Sequence, residues 1–146
     1  MKRYWGLLAL LLGLLSAGPA GAGPDPETAN ALARLAVQRR DAARKTYQVL
    51  WIDYRERLAS EDALYRWSVR WLEAERELSD QQADQVAAYQ GHFERMRDLD
   101  RLIRRLHGSG QSTVDEASAA EFYRTEAEVW LLKAPVQLQS VPVHPE

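Results

Sequence analysis

Three histidines, 21 acidic side chains and no cysteine set what chemistry this 146-residue chain could perform. Each chemistry asks for a spacing. A helical metal pair needs two histidines three or four residues apart, and His92, His107 and His144 are never that close. Serine catalysis needs a nucleophile elbow or a fixed triad, and neither pattern occurs. The run Gly108-Ser109-Gly110-Gln111-Ser112-Thr113 precedes a helix start as a phosphate loop would. It has neither the lysine nor the preceding strand that a phosphate cradle requires, so it reads as a turn between helices. The carboxylates recur on helical faces opposite arginines, where ion pairing explains them better than acid–base work. Without cysteine there is no disulfide, thiolate zinc site or thiol nucleophile. No catalytic residue, metal or cofactor is expected, and no small-molecule substrate.

The tryptophans are the other residues of note. Trp67, Trp71 and Trp130 lie on apolar helical stripes, which makes packing their first reading. The alternative is that Trp51, Trp67 and Trp71 anchor a partner, since buried aromatics dominate many interfaces.

The elements carrying these residues read as helices. Asp25-Pro26-Glu27 is an N-cap, an N1 proline and a first-turn acid. No glycine or proline follows until well past Arg57, and Ala33, Ala36, Arg40, Ala43, Tyr47, Leu50 and Tyr54 recur at spacings of three and four. A second stripe, from Leu64 through Trp67, Trp71, Ala74 and Leu78 to Val86, Tyr89, Phe93, Met96, Ile103 and Leu106, predicts a central helix of about 47 residues, ~70 Å long. Its weak point is Ser79-Asp80-Gln81-Gln82, which has the form of a capping box. Thr113-Val114-Asp115-Glu116 is another, and it starts a third helix that Pro135 is expected to end. The fold expectation is all-α: antiparallel coiled-coil hairpins of three helices with a long central one. The alternative is a compact four-helix bundle broken near Ser79.

The N-terminus settles the expected compartment. Lys2 and Arg3 precede an apolar run from Tyr4 to Leu15, and Ala20-Gly21-Ala22 forms an A-x-A-like cleavage site. The run is about a dozen residues, short of the roughly 20 that a spanning helix needs. Residues 1–22 are therefore read as a secretory signal peptide, with an uncleaved anchor as the alternative. Residues 23–134 form the helical domain and 135–146 a proline-containing disordered tail. The signal segment holds two of the 19 basic side chains and no acid, so the remainder carries a net charge of −4. Nucleic acid is not an expected partner. Export to the periplasm or cell envelope is expected, with no span in the mature chain.

A repeat at an offset of 53 residues organises the domain into hairpins of about 30–81 and 83–134. Ser60 matches Thr113, Asp62 matches Asp115, Leu78 matches Leu131, and Glu73-Ala74-Glu75 matches Glu126-Ala127-Glu128. Folding each hairpin sets basic against acidic: Arg34, Arg39, Arg40, Arg44 and Lys45 face Glu73, Glu75, Glu77, Asp80 and Asp84. Arg95, Arg97, Arg101, Arg104 and Arg105 face Asp115, Glu116, Glu121, Glu126 and Glu128. A ribbon of this kind leaves Trp51, Ile52, Trp71 or Leu72 partly exposed, which predicts self-association.

The second turn, His107 to Ala117 followed by Ala120-Glu121 and Glu126-Ala127-Glu128, resembles the hairpin motif of TolC-type outer-membrane efflux proteins. Tyr54 through Ser60 to Leu64 looks like the same motif with Arg57 in place of its glycine. The resemblance implies periplasmic helical hairpins whose tips, here Arg57, Ser60, Asp62, Gly110, Thr113 and Asp115, meet an envelope partner. The family's transmembrane strands are absent from this chain. Leu78-Ser79-Asp80-Gln81-Gln82 also resembles a motif of small periplasmic stress chaperones of the Spy and CpxP kind. The function expected is thus a non-enzymatic envelope protein that forms a homo-oligomer or docks to envelope proteins, with a periplasmic chaperone or stress sensor as the alternative.

Overall fold

The computed structural model describes residue 23 and residues 25–139. The expected signal segment, residues 1–22, and residues 140–146 of the expected tail lie outside the described residues. The described chain is all-α, in four helices: α1 (Pro26–Arg55), α2 (Glu61–Arg76), α3 (Gln82–Gly108) and α4 (Val114–Gln139). Three starts follow their caps. The Asp25 carboxylate accepts from the N–H groups of Glu27 and Thr28. Ser60 Oγ accepts from the Ala63 N–H at 3.2 Å. Thr113 Oγ1 accepts from the Glu116 N–H while Glu116 Oε2 accepts from the Thr113 N–H, a closed capping box.

The continuous central helix is not formed. α2 stops at Arg76, and the buried Gln85 side chain holds the break. Its amide donates to the carbonyls of Arg76 and Ser79, and its Oε1 accepts from Arg76 Nε at 2.9 Å. The last carbonyls of a helix are left without partners by the helix itself, and here a side chain from the next helix satisfies that of Arg76 together with the Ser79 carbonyl of the turn. Ser79 serves the turn rather than a capping box: its hydroxyl accepts from the Gln81 N–H and donates to Asp84. The reversal lays Leu64, Ser68 and Leu72 against the rest of the fold, so Leu72, expected near the surface, is buried. A second difference lies at the other end. α4 runs past Pro135 to Gln139. A proline costs its helix one N–H bond and crowds the carbonyl four residues back, and this close to the helix end only a single turn has to absorb that.

The helices run up, down, up and down. α1 packs on α2, α2 on α3 and α3 on α4, and α2 also touches α4. Tyr47, Tyr54, Leu64, Met96, Leu99, Ile103, Ala120 and Ala127 form the core cluster. The expected charge register is met only at Arg39–Glu77 and Arg104–Glu121, the latter at 3.7 Å. Most of the other arginines choose nearer acids: Arg40 and Arg44 take Asp41, and Arg97 and Arg101 take Asp98. Exposed ion pairs add little energy wherever they form, so local neighbours win. With 30 residues against 16, α1 is ~45 Å long and α2 ~24 Å. The Arg39–Glu77 pair sits at the end of α2, so the first half of α1 projects beyond it.

The two hairpin turns match bond for bond at the 53-residue offset. In the first, Arg57 N–H donates to Tyr54 O at 3.1 Å and Leu58 N–H to Asp53 O at 2.8 Å. In the second, Gly110 N–H donates to His107 O at 2.9 Å and Gln111 N–H to Leu106 O at 2.8 Å. This is the Schellman pattern, with a left-handed residue just past the helix. That residue is Arg57 (φ 63°) in one turn and Gly110 (φ 75°) in the other. The turns meet at one end of the molecule, where Arg57 pairs with Glu116 at 3.6 Å. The α2–α3 turn lies on the opposite side, and the start of α1 runs on beyond it.

The turn geometry separates two glycines that stand two residues apart. A Cβ at Gly108 or Gly110 would meet no neighbour, so backbone alone decides. Gly110→Ala should cost about 1 kcal/mol, because an L-residue is strained at positive φ. Gly108→Ala, inside the last turn of α3, should add about 0.5–1 kcal/mol. Urea unfolding of the two variants checks the opposite signs.

Candidate functional site

The three tryptophans singled out as anchors are half-buried against the core cluster. Trp51 stacks on Tyr47 with ring centroids 6.2 Å apart, and Trp71 lies 5.8 Å from the same ring. The Arg95 guanidinium sits 4.0 Å over Trp71, and the Arg70 guanidinium 4.5 Å over Trp67. A cation over an indole face is favourable electrostatically. Trp71 is thus an internal packing residue. Trp51 borders an open cleft of about 290 Å³ lined also by Tyr47, Gln48, Arg95 and Asp98.

Beneath this aromatic layer is a polar cluster that sequence reading missed. Arg95 Nε donates to Ser68 Oγ at 2.7 Å, and Ser68 Oγ lies 2.8 Å from His92 Nδ1. Ser68 accepts from Arg95 on one lone pair and shares its other hydrogen bond with Nδ1, in either imidazole tautomer, while Nε2 has no partner. The ring is sandwiched instead, 5.4 Å from Trp130 and 6.3 Å from Tyr65. Ser68 and His92 are both fully buried, so this serine–histidine pair offers a substrate no approach. Burial, and then the Arg95 charge, depress the His92 pKa to about 3. Burial likewise pulls Arg95 below the usual guanidinium value. The available signal was a polar residue, Ser68, standing between Leu64 and Leu72 on a four-residue spacing.

The hairpin-tip residues divide. Ser60 and Thr113 cap helices, and Arg57 and Gly110 occupy the left-handed positions. Asp62 pairs with Arg66 at 2.6 Å, and Asp115 stays at the surface of the first turn of α4. Hydrogen bonds from Ser112 and the Thr113 backbone hold the Glu116 carboxyl below its ordinary pKa. Together these place both tips side by side.

The outer faces are more informative. α4 buries Ala120, Ala127 and Ala134 and packs Tyr123 and Trp130 inward beside them, yet it leaves three further apolar side chains outward. Phe122 is 60% exposed, Val129 40% and Leu132 70%. Alanine lets α4 lie close against α3, and the outer apolar residues give the helix a second apolar stripe, where a surface helix ordinarily has one. α1 behaves similarly: Leu32, Leu35, Val49 and Ile52 are exposed on it. Among the described residues no group of three or more metal-ligating side chains is assembled, and no helix is long and apolar enough to cross a membrane. Comparison with protein-family models, curated proteins and solved structures returns no match.

His92 makes the fold acid-sensitive. Its folded pKa, about 3, lies below the 6.5 of a free histidine, so between these limits the unfolded chain binds the extra proton. Stability from this group is therefore intact above about pH 6.5 and falls as pH drops, by ~1.4 kcal/mol per unit. His92→Gln keeps a polar partner for Ser68 and does not titrate. Urea midpoints at pH 7 and pH 5 should diverge for the native chain and converge for the variant. Equal slopes would remove the buried neutral histidine from the account.

Proposed function

We propose that this protein acts by contact: an exported, non-enzymatic helical protein of the cell envelope that self-associates or docks to envelope proteins, in the manner of the periplasmic hairpins of TolC-type proteins. The observation that carries the reading is α4, with alanines inward and Phe122, Val129 and Leu132 outward. A contiguous exposed apolar face is the ordinary mark of an interaction surface. The matched turns at the 53-residue offset support a duplicated hairpin, and the Arg57–Glu116 pair brings the two tips together as one presented end.

The apolar projection of α1, carrying Leu32, Leu35 and Val37, favours a second reading, a small periplasmic chaperone or stress sensor of the Spy and CpxP kind. Such a protein would suppress aggregation of unrelated clients at equimolar ratio, whereas a docking protein would not.

Photo-crosslinking in the native envelope tests the first reading. A crosslinker replacing Phe122 or Leu132 should give adducts of defined mass, and one replacing the exposed Arg101 on α3 should give few. Equal yields at all three positions would defeat the contact reading.

A further inference from the structure

We propose that the outer face of α4 is covered by the outer face of α1 from a second copy of this chain. The inference rests on the contact reading above and names the partner. Two stripes match. On α4, Ser118, Phe122, Thr125, Val129 and Leu132 recur at spacings of four and three, opposite the alanine seam. On α1, Leu35, Gln38, Ala42, Lys45, Val49 and Ile52 recur in the same way, opposite Ala43, Tyr47 and Tyr54. With the exposed Val114, four residues before Ser118, the α4 face spans ~27 Å of helix, against ~26 Å from Leu35 to Ile52 on α1.

Charge decides which stripe meets which. α1 carries six basic side chains (Arg34, Arg39, Arg40, Arg44, Lys45, Arg55) and three acids (Glu27, Asp41, Asp53), a net of +3. α4 carries Arg124 and Lys133 against Asp115, Glu116, Glu121, Glu126 and Glu128, a net of −3. Pairing α4 with α4, or α1 with α1, would set like charge against like. Pairing α1 with α4 sets them in opposition, and complementary fields steer association and exclude the wrong register. The acidic α4 is equally unsuited to an anionic lipid surface. Within one molecule the two helices are not packed backbone against backbone, and these stripes lie opposite their core-facing sides, so the pairing is between copies and joins unlike surfaces.

The test uses the mature chain and two double variants at exposed positions. Val49→Glu with Ile52→Glu adds acid to the α1 face. Phe122→Arg with Leu132→Arg adds base to the α4 face. Sedimentation at low ionic strength should show the native chain associated at roughly 100 µM. Each variant alone should be monomeric, its dissociation constant raised about 30-fold or more, with helicity unchanged by circular dichroism. Mixing the two variants should restore a 1:1 complex, because each supplies the face the other lacks. Added salt should weaken it as the Debye length shrinks. A variant that associates as the native chain does would overturn the proposal, as would a mixture that stays monomeric. A monomeric native chain would overturn it too. If the crosslinks at Phe122 persist in that case, the contact reading stands and only the second-copy partner falls.

Discussion

The Gln85 side chain is the constraint on which the rest of the molecule depends. Buried, it donates to the last carbonyl of α2 and to the Ser79 carbonyl of the turn, and takes the Arg76 guanidinium on its own oxygen. An unsatisfied carbonyl in that position would favour either continued helix or an open, hydrated end. With both needs met by a single amide, α2 is only 16 residues long and the chain turns back. Tyr65, Ser68 and Leu72 then reach α3 and α4 instead of extending along a strut. The shortness of α2 has a second effect: α1, almost twice as long, has nothing beside its first half. The same small local event therefore closes the core and leaves the molecule with uncovered apolar surface.

Inside, the packing is unusual in what it buries. A guanidinium is held between aromatic faces and a serine, with a neutral imidazole one hydrogen bond further on. Buried cations are tolerated when ring faces and fixed acceptors replace their water. The arrangement needs Ser68 on α2, His92 and Arg95 on α3 and Trp130 on α4 at one level. It therefore specifies the rotation of three helices about their own axes more closely than interchangeable leucines would. The alanine seam between α3 and α4 sets the distance, and this network sets the facing.

Much of the fold could be read from the sequence, and the reason is range. Asp25, Ser60 and Thr113 announce their helices because a cap acts within three residues. The stripe through Tyr47 and Tyr54, and that through Ala120 and Ala127, show in the 3.6-residue period. Ser79 could be flagged as a weak point but not decided, because the amide that decides it arrives from Gln85 after the chain has turned. The arginine register misled for an energetic reason: exposed pairs are too weak to choose between a near acid and a far one. Pro135 misled because one lost bond near a helix end is survivable. The Ser68–His92–Arg95 cluster escaped since its members are polar and each alone looks like surface. The inverted faces of α4 were in the sequence all along, but telling inside from outside required knowing which stripe met α3.

The up-down-up-down course has a mechanical consequence. The chain enters at the start of α1 and leaves at the end of α4, both on the side away from the paired turns. Anything that tethers the molecule by either terminus holds it at its base. The Arg57–Glu116 junction then stands at the far end of a post whose α3 alone is ~40 Å tall. A load between that junction and the base runs lengthwise along the helix axes and shears neighbouring helices past one another, and does not peel one helix from the next.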